Sequence, residues 1–241
     1  MVASAWADTD RADLEPNDVP QNGSAVAWKL SLGRYQDSVD GYASDVNLRG
    51  TTGDLSFWLA QYRDASNYTQ TRTGVEKQSA LPLGRLISSL QSASGGFVGG
   101  SVTWDVRQSD AQWFAPMVGW GRTDGKTYYN LNFDPNDAWT LGMGGQVMGH
   151  TLSVFRVQDN RLHTEQRNTH LLWRWPMNDR QRLTLDYAFK SGRPEMYQPR
   201  VSGHSFSLTY DVHPWFIHWV RDQHVNYSDA DQIRLSLGVR F

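Results

Sequence analysis

Asp231-Gln232-Ile233-Arg234-Leu235-Ser236-Leu237-Gly238-Val239-Arg240-Phe241 ends the chain. From Ile233 onward every odd position is apolar, and every even position is Arg, Ser or Gly. Side chains on a strand alternate between two faces, so this segment reads as a strand with one face suited to hydrocarbon. Its other face carries Arg234 and Arg240 into a wet space. A half-buried strand of a soluble sandwich also alternates, but it seldom sets two arginines opposite an unbroken apolar row that ends in an aromatic residue.

The same period of two recurs upstream. Val26, Trp28, Leu30 and Leu32 form one row, and after a turn at Asp40-Gly41, Val46 and Leu48 form the next. Thr51-Thr52-Gly53 leads tightly into Leu55, Phe57 and Leu59, and Tyr68 to Gln78 continues more weakly. Val102, Trp104 and Val106 follow, then 113–121, a turn at Asp124-Gly125, and 127–133 with Tyr129, Leu131 and Phe133 in one row. The second half is more regular. Met148-Gly149-His150 joins 139–147 to 151–158, Pro176 to Asp179 is a turn, and Leu183, Leu185, Tyr187 and Phe189 make the cleanest row before the last. His213-Pro214 turns the chain from the Phe206 row into Trp215, Ile217 and Trp219. Each segment has the length and alternation of a strand, and each break carries turn chemistry.

One stretch departs from the pattern. Leu83, Leu86, Ile87 and Leu90 fall at helical spacing behind Pro82, a residue welcome at a helix start, which predicts one short amphipathic helix over 82–93. With that stretch as a helix the strands number about fourteen, an even count; with it as a strand they number about fifteen. Twelve follows if 113–133 holds one long strand and a loop. No other connection looks long enough to serve as a dedicated constriction loop.

The closing stretch, with Ile233, Leu235, Leu237, Val239 and Phe241 in one row, resembles the last strand of bacterial outer-membrane β-barrels, which typically ends in Phe and is read by the barrel-assembly machinery. The resemblance implies an all-β fold, a transmembrane antiparallel up-and-down β-barrel of the Gram-negative envelope. It also implies outer-membrane lipid and lipopolysaccharide as surroundings, and amino and carboxy termini in the periplasm. It names no activity.

Composition agrees with that class. The chain has 241 residues, with 11 Trp, 10 Tyr and 9 Phe, a supply that interfacial girdles of a barrel would use. Mean hydropathy is -0.58, low for a membrane protein, but a barrel shows lipid only alternate residues. No run of about 18 apolar residues is present for a spanning helix. A net charge of -2 gives no basic field for nucleic acid, and zero cysteines leave no disulfide or thiolate metal site. Residues 1–7 end in Ala5-Trp6-Ala7, a cleavage-like pattern, and read as the remnant of an export signal peptide. Residues 8–23 are acidic, contain Pro16 and Pro20, and read as a flexible periplasmic tail; 24–241 is one barrel domain.

If the apolar rows face lipid, the lumen receives Lys29, Asp45, Arg49, Arg72, Glu76, Asp105, Arg107, Arg174, Arg182, Asp186, Lys190, Asp211, Asp222, Arg234 and Arg240. The set is mixed in sign. It reads either as a lumen-filling salt-bridge network or as the lining of a narrow, selective conduit, with Asp45, Asp211 and Asp222 as candidate partners of Arg234 and Arg240.

No catalytic set assembles from the sequence. His204 and Ser205 are adjacent and point to opposite faces; His163 and Glu165 sit in one loop and could pair, but no nearby serine completes a triad. His218, Asp222 and His224 fall at even spacing, but they span roughly 13 to 20 Å along a strand, too far for one ion. Asp222 with His224 reads as a lumen pair. No metal and no cofactor are expected. The leading expectation is a narrow or gated passage for a small solute or polymer, with the helix at 82–93 as its gate. A lipid- or lipopolysaccharide-modifying enzyme ranks below it, as does a closed structural or accessory barrel of an assembly system.

Overall fold

In a computed structural model that describes residues 25–39, 41–107, 112–129, 137–159 and 161–241, the alternating rows pair into fourteen antiparallel strands. The export-signal remnant, the acidic tail, Asp40 and the Leu131 to Phe133 part of the expected seventh row lie outside the described residues. The first seven strands are β1 (Ala27–Asp37), β2 (Gly41–Thr52), β3 (Leu55–Asp64), β4 (Thr69–Ala80), β5 (Arg85–Ala93), β6 (Phe97–Asp105) and β7 (Ala115–Thr123). The second seven are β8 (Ala138–Val147), β9 (His150–Asp159), β10 (Arg167–Asn178), β11 (Gln181–Gly192), β12 (Val201–Val212), β13 (Trp215–Asp222) and β14 (Gln232–Arg240). Each pairs with its sequence neighbours, and β14 closes on β1, so the sheet has no edge.

The closing register sets Leu30 opposite Val239, Leu32 opposite Leu237 and Lys29 opposite Arg240, so the apolar rows of the first and last strands continue one another. Beyond the last rung, Trp28 and Phe241 exchange both backbone hydrogen bonds, at 2.7 and 2.9 Å. The outer face carries a belt of leucines, among them Leu59, Leu141 and Leu237, each more than half exposed. Aromatic rings stand near the strand ends on either side of it: Trp28, Phe57, Trp104 and Trp215 toward the termini, Tyr42, Trp120, Trp139 and Phe189 toward the other end. That is the order of a membrane-spanning surface, apolar in the middle with amphipathic rings at both water boundaries.

Connections differ between the two ends. At the end holding residues 25 and 241 most are tight, as at Met148-Gly149, where both residues have positive φ (53° and 81°), the backbone of a type I′ hairpin turn. At the other end the longer connections follow β7, β9, β11 and β13.

The expected helix over 82–93 is β5 instead. Leu86, Ser88 and Leu90 face out while Ile87, Ser89 and Gln91 face in, and both β4 and β6 pair along its whole length. Serines in both rows hid the period of two, and two waiting strand edges override a weak helical spacing. Gly84, at φ 79°, makes the turn before it. Fourteen strands remain the count because Thr127 to Tyr129, expected to open a strand, is not in one. The turn expected at 176–179 is narrower: β10 runs on to Asn178 with a register shift after Pro176, and Asp179-Arg180 makes the turn.

Glycine at 238 is a packing device. A Cβ there would lie 2.1 Å from the Phe216 ring, which stands over the glycine and has Lys29 Nζ 4.3 Å from its centroid and the Arg240 guanidinium 5.0 Å from it. Gly238→Ala is expected to displace the ring and cost about 1 to 3 kcal/mol, read from the urea midpoint of the folded barrel in vesicles.

Candidate functional site in the barrel lumen

Inward parity brings the charged rows together, and they pair with one another. On β2 and β4, Asp45 accepts a hydrogen bond from Arg72, and Arg49 lies 3.5 Å from Glu76 and over the Trp58 ring. Both pairs join strands that are not neighbours. They reach across β3, where Ala60 stands opposite Asn47 on one side and Arg72 on the other. The small side chain leaves room for the pair to pass over it.

The same device recurs on the opposite wall. Lys190 on β11 bonds Asp222 on β13 at 2.5 Å across β12, whose Gly203 and Ser205 are opposite those two residues. Asp222 also has Arg234 at 3.9 Å. Asp211 accepts from Arg182 at 3.3 Å on the adjacent strand and from Arg240 at 2.6 Å across β13. Asp186 takes His170 Nδ1 at 2.8 Å, and the imidazole is stacked on Phe155. Arg174 is partly buried on the inward parity of β10. Arg107 lies past the end of β6, at the rim, where it shares Asp105 with Arg85.

So the anticipated partners resolve as Asp211 with Arg240 and Asp222 with Arg234, while Asp45 serves Arg72 and neither terminal arginine. The lumen pair expected between Asp222 and His224 is absent. His224 has left the strand, at φ 48°, with its Nδ1 on the Ser228 carbonyl, and His218 contacts Thr209 at 2.7 Å. Nor do His163 and Glu165 pair; Glu165 is held by Arg200 at 2.6 Å and Arg193 at 3.4 Å. His204 points outward to the Tyr187 hydroxyl, away from Ser205. Among the described residues, no group of three or more His, Cys, Asp or Glu is placed to hold a metal ion.

A segment that the sequence did not announce lies inside the loop end. The connection after β7 folds inward and lays Thr127 to Tyr129 against β4. Gln70, 1 % exposed, acts there as a strand rung: its amide nitrogen donates to the Thr127 carbonyl at 2.9 Å, and its oxygen accepts from the Tyr129 N–H at 2.8 Å. Tyr129 then stacks on Tyr62 with ring centroids 4.7 Å apart, Tyr62 meets Tyr35 edge-on, and Tyr128 packs on Phe97 near Arg72. The far end of the connection is held by Asp137, which accepts from Thr123 Oγ1 and from Arg161, both at 2.8 Å.

A second connection, after β13, buries Tyr227, whose hydroxyl donates to the Arg167 carbonyl at 3.1 Å. Burial pushes its phenol well above the usual tyrosine range, and Asp222 and Asp159 add to this, so it stays a neutral donor. Inward residues are closed off throughout this region: Arg72, Asp45, Gln91 and His170 are all 1 to 2 % exposed. The inward face there is therefore closely packed and polar, made of paired charges, amides, hydroxyls and tyrosine rings.

Tyr35 and Tyr62 were readable from parity, since the rows opposite them are apolar. Tyr128 and Tyr129 were not, because their alternation with Leu131 and Phe133 imitates a strand.

No protein-family model and no curated protein sequence matches the chain. Among solved structures, it is similar to the Acinetobacter baumannii outer membrane protein Omp33, with a TM-score of 0.57 and 10% identity, over 91% of this chain and 100% of that one. A multiple-substitution variant of the Rh. blastica porin gives a TM-score of 0.51 and 8% identity, over 90% of this chain and 99% of that one. At such identities the likeness is one of fold: the chain has the closed antiparallel barrel of bacterial outer-membrane proteins.

Proposed function

We propose that the protein is a narrow, loop-constricted passage for small polar solutes in the bacterial outer membrane, with both termini in the periplasm. The observation that carries this is the inward segment Thr127 to Tyr129, fastened to the wall by Gln70 and stacked on Tyr62. A barrel that served only as an anchor would have no need to fold a loop into its own bore. Short turns beside residues 25 and 241, and longer connections at the other end, support the orientation. The mixed, mutually paired charges support passage of neutral or zwitterionic polar solutes, since no single-sign ring draws in one ion class.

Close packing of the inward face also favours a second reading, a closed barrel with an accessory role. Single-channel recording in planar bilayers separates the two. The wild type is expected to give small, brief openings, and Tyr129→Ala combined with Gln70→Ala a severalfold larger conductance, because the variant loses both the ring stack and the two bonds that hold the segment in place. If neither protein conducts while both keep heat-modifiable gel mobility, the passage reading fails.

A further inference from the structure

The outer surface is asymmetric in charge. Toward the loop end, just beyond the leucine belt, Arg34, Arg63, Arg156, Arg167 and Arg221 all point outward and are exposed, and Arg122 joins them over the Trp120 ring. The first five make no ion pair among the described residues, whereas lumen arginines such as Arg72, Arg182 and Arg240 sit against carboxylates. Their polar contacts are neutral: Arg63 with the Asn67 side chain at 2.6 Å, Arg156 with Thr169 Oγ1 at 3.0 Å, Arg34 over the Tyr42 ring. No outward strand position in this half carries Asp or Glu among the described residues. Asp231, the nearest carboxylate in sequence to β14's loop end, lies before the strand and accepts from the His224 N–H. At the termini end the outward strand cation among the described residues is Lys77, while Arg85, on the inward parity of β5 at the rim, is paired with Asp105.

The arginines are also placed in sets. Ser44 pairs with Arg34 on β1 and with Arg63 on β3, so two guanidiniums flank one hydroxyl in a single cross-strand row. With strands about 4.8 Å apart, their Cα atoms lie about 10 Å from each other, within reach of one shared anion. Arg156 and Arg167 are diagonal neighbours on β9 and β10, since Arg156 opposes Thr169 and Arg167 opposes Gln158. Two residues before Arg34 stands Leu32, and Leu235 is its direct partner on β14, so the cations touch the edge of the hydrocarbon belt.

We propose that this rim binds the phosphates of lipopolysaccharide, with Arg34, Ser44 and Arg63 forming one seat and Arg156 with Arg167 a second. The occupant must be an amphiphile, because the seat adjoins apolar surface, and an anion, because five guanidiniums have no carboxylate. Guanidinium forks bind phosphate oxygens bidentately, and a tyrosine or tryptophan face beside them keeps them at the interface. The proposal rests on the membrane placement above and not on conduction.

The test uses the purified barrel in neutral detergent with diphosphorylated lipid A, the same lipid without its phosphates, or phosphatidylglycerol, and counts retained lipid by native mass spectrometry. Wild type is expected to retain diphosphorylated lipid A in preference to the other two. Arg34→Gln with Arg63→Gln is expected to weaken retention about fivefold per charge removed, and Arg156→Gln with Arg167→Gln to do the same independently. Lys77→Gln is the control and should change nothing. Equal retention of dephosphorylated lipid A or of phosphatidylglycerol, or undiminished retention by both arginine pairs with folded mobility intact, overturns the proposal. Because these residues lie outside the lumen, single-channel currents of the variants report on the passage separately: lipid retention without conductance sinks only the passage, and conductance without lipid selectivity sinks only the rim.

Discussion

Leu237→Arg is expected to destabilise the barrel by about 2 to 4 kcal/mol and to impair its assembly. Leu237 sits mid-strand on β14, 54 % exposed, with Leu32 and Ile217 beside it on the outer face. In hydrocarbon nothing solvates the guanidinium there, and the neighbouring side chains offer no acceptor. Leu185→Arg, between Trp173 and Leu208 on β11, tests a part of the wall three strands away. The control is Gln36→Arg, outward on β1 but near the loop end, where the cost falls to about 0 to 1 kcal/mol. Urea unfolding in vesicles measures all three. A flat profile, with Leu237→Arg as mild as Gln36→Arg, would mean that the leucine belt does not see lipid.

The second large effect is internal. Asp211→Ala leaves Arg182 and Arg240 facing each other without their shared carboxylate, each no more than 9 % exposed. Removing one member of a buried pair typically costs about 3 to 5 kcal/mol, most of it from the charge left uncompensated. Two arginines share this one acid, and a loss within that range is expected from the urea midpoint. Replacing all three with apolar residues of similar volume should restore most of the loss, since the network itself stabilises little against a well-packed alternative. If the triple replacement stays as weak as Asp211→Ala, the cost lies in packing around Phe216 and not in charge.

How much of this was legible depended on whether the signal was local. Ile233 to Phe241 announced the outer and inner faces by themselves, and parity then sorted Lys29, Asp45 and Asp186 inward because a strand leaves no other choice. The partners were hidden, since Asp45 with Arg72 and Lys190 with Asp222 skip a strand, and the residues that allow this, Ala60, Gly203 and Ser205, look like filler in the sequence. The stretch 82–93 misled because Leu83, Leu86, Ile87 and Leu90 satisfy the helical spacing as well as strand parity allows, and only neighbouring edges decide between them. Thr127 to Tyr129 misled for the opposite reason: an alternating run was taken by a side chain, Gln70, in place of a strand. The outward arginines are scattered singly along the sequence; the row that Arg34 and Arg63 share through Ser44 across β1, β2 and β3 exists only once register is known.

Closure between β1 and β14 has a kinetic meaning. Every other strand pair is a hairpin whose ends meet after a shorter stretch of chain, whereas Trp28 and Phe241 meet across roughly two hundred residues, which raises the loop-closure cost by about 3 to 4 kcal/mol over a tight turn. Thirteen pairings can thus zip up while the fourteenth waits, and the waiting intermediate is a curled sheet with two open edges and an apolar outer face. Its lifetime, and its exposure to other chains in the same condition, is set by that single slow junction.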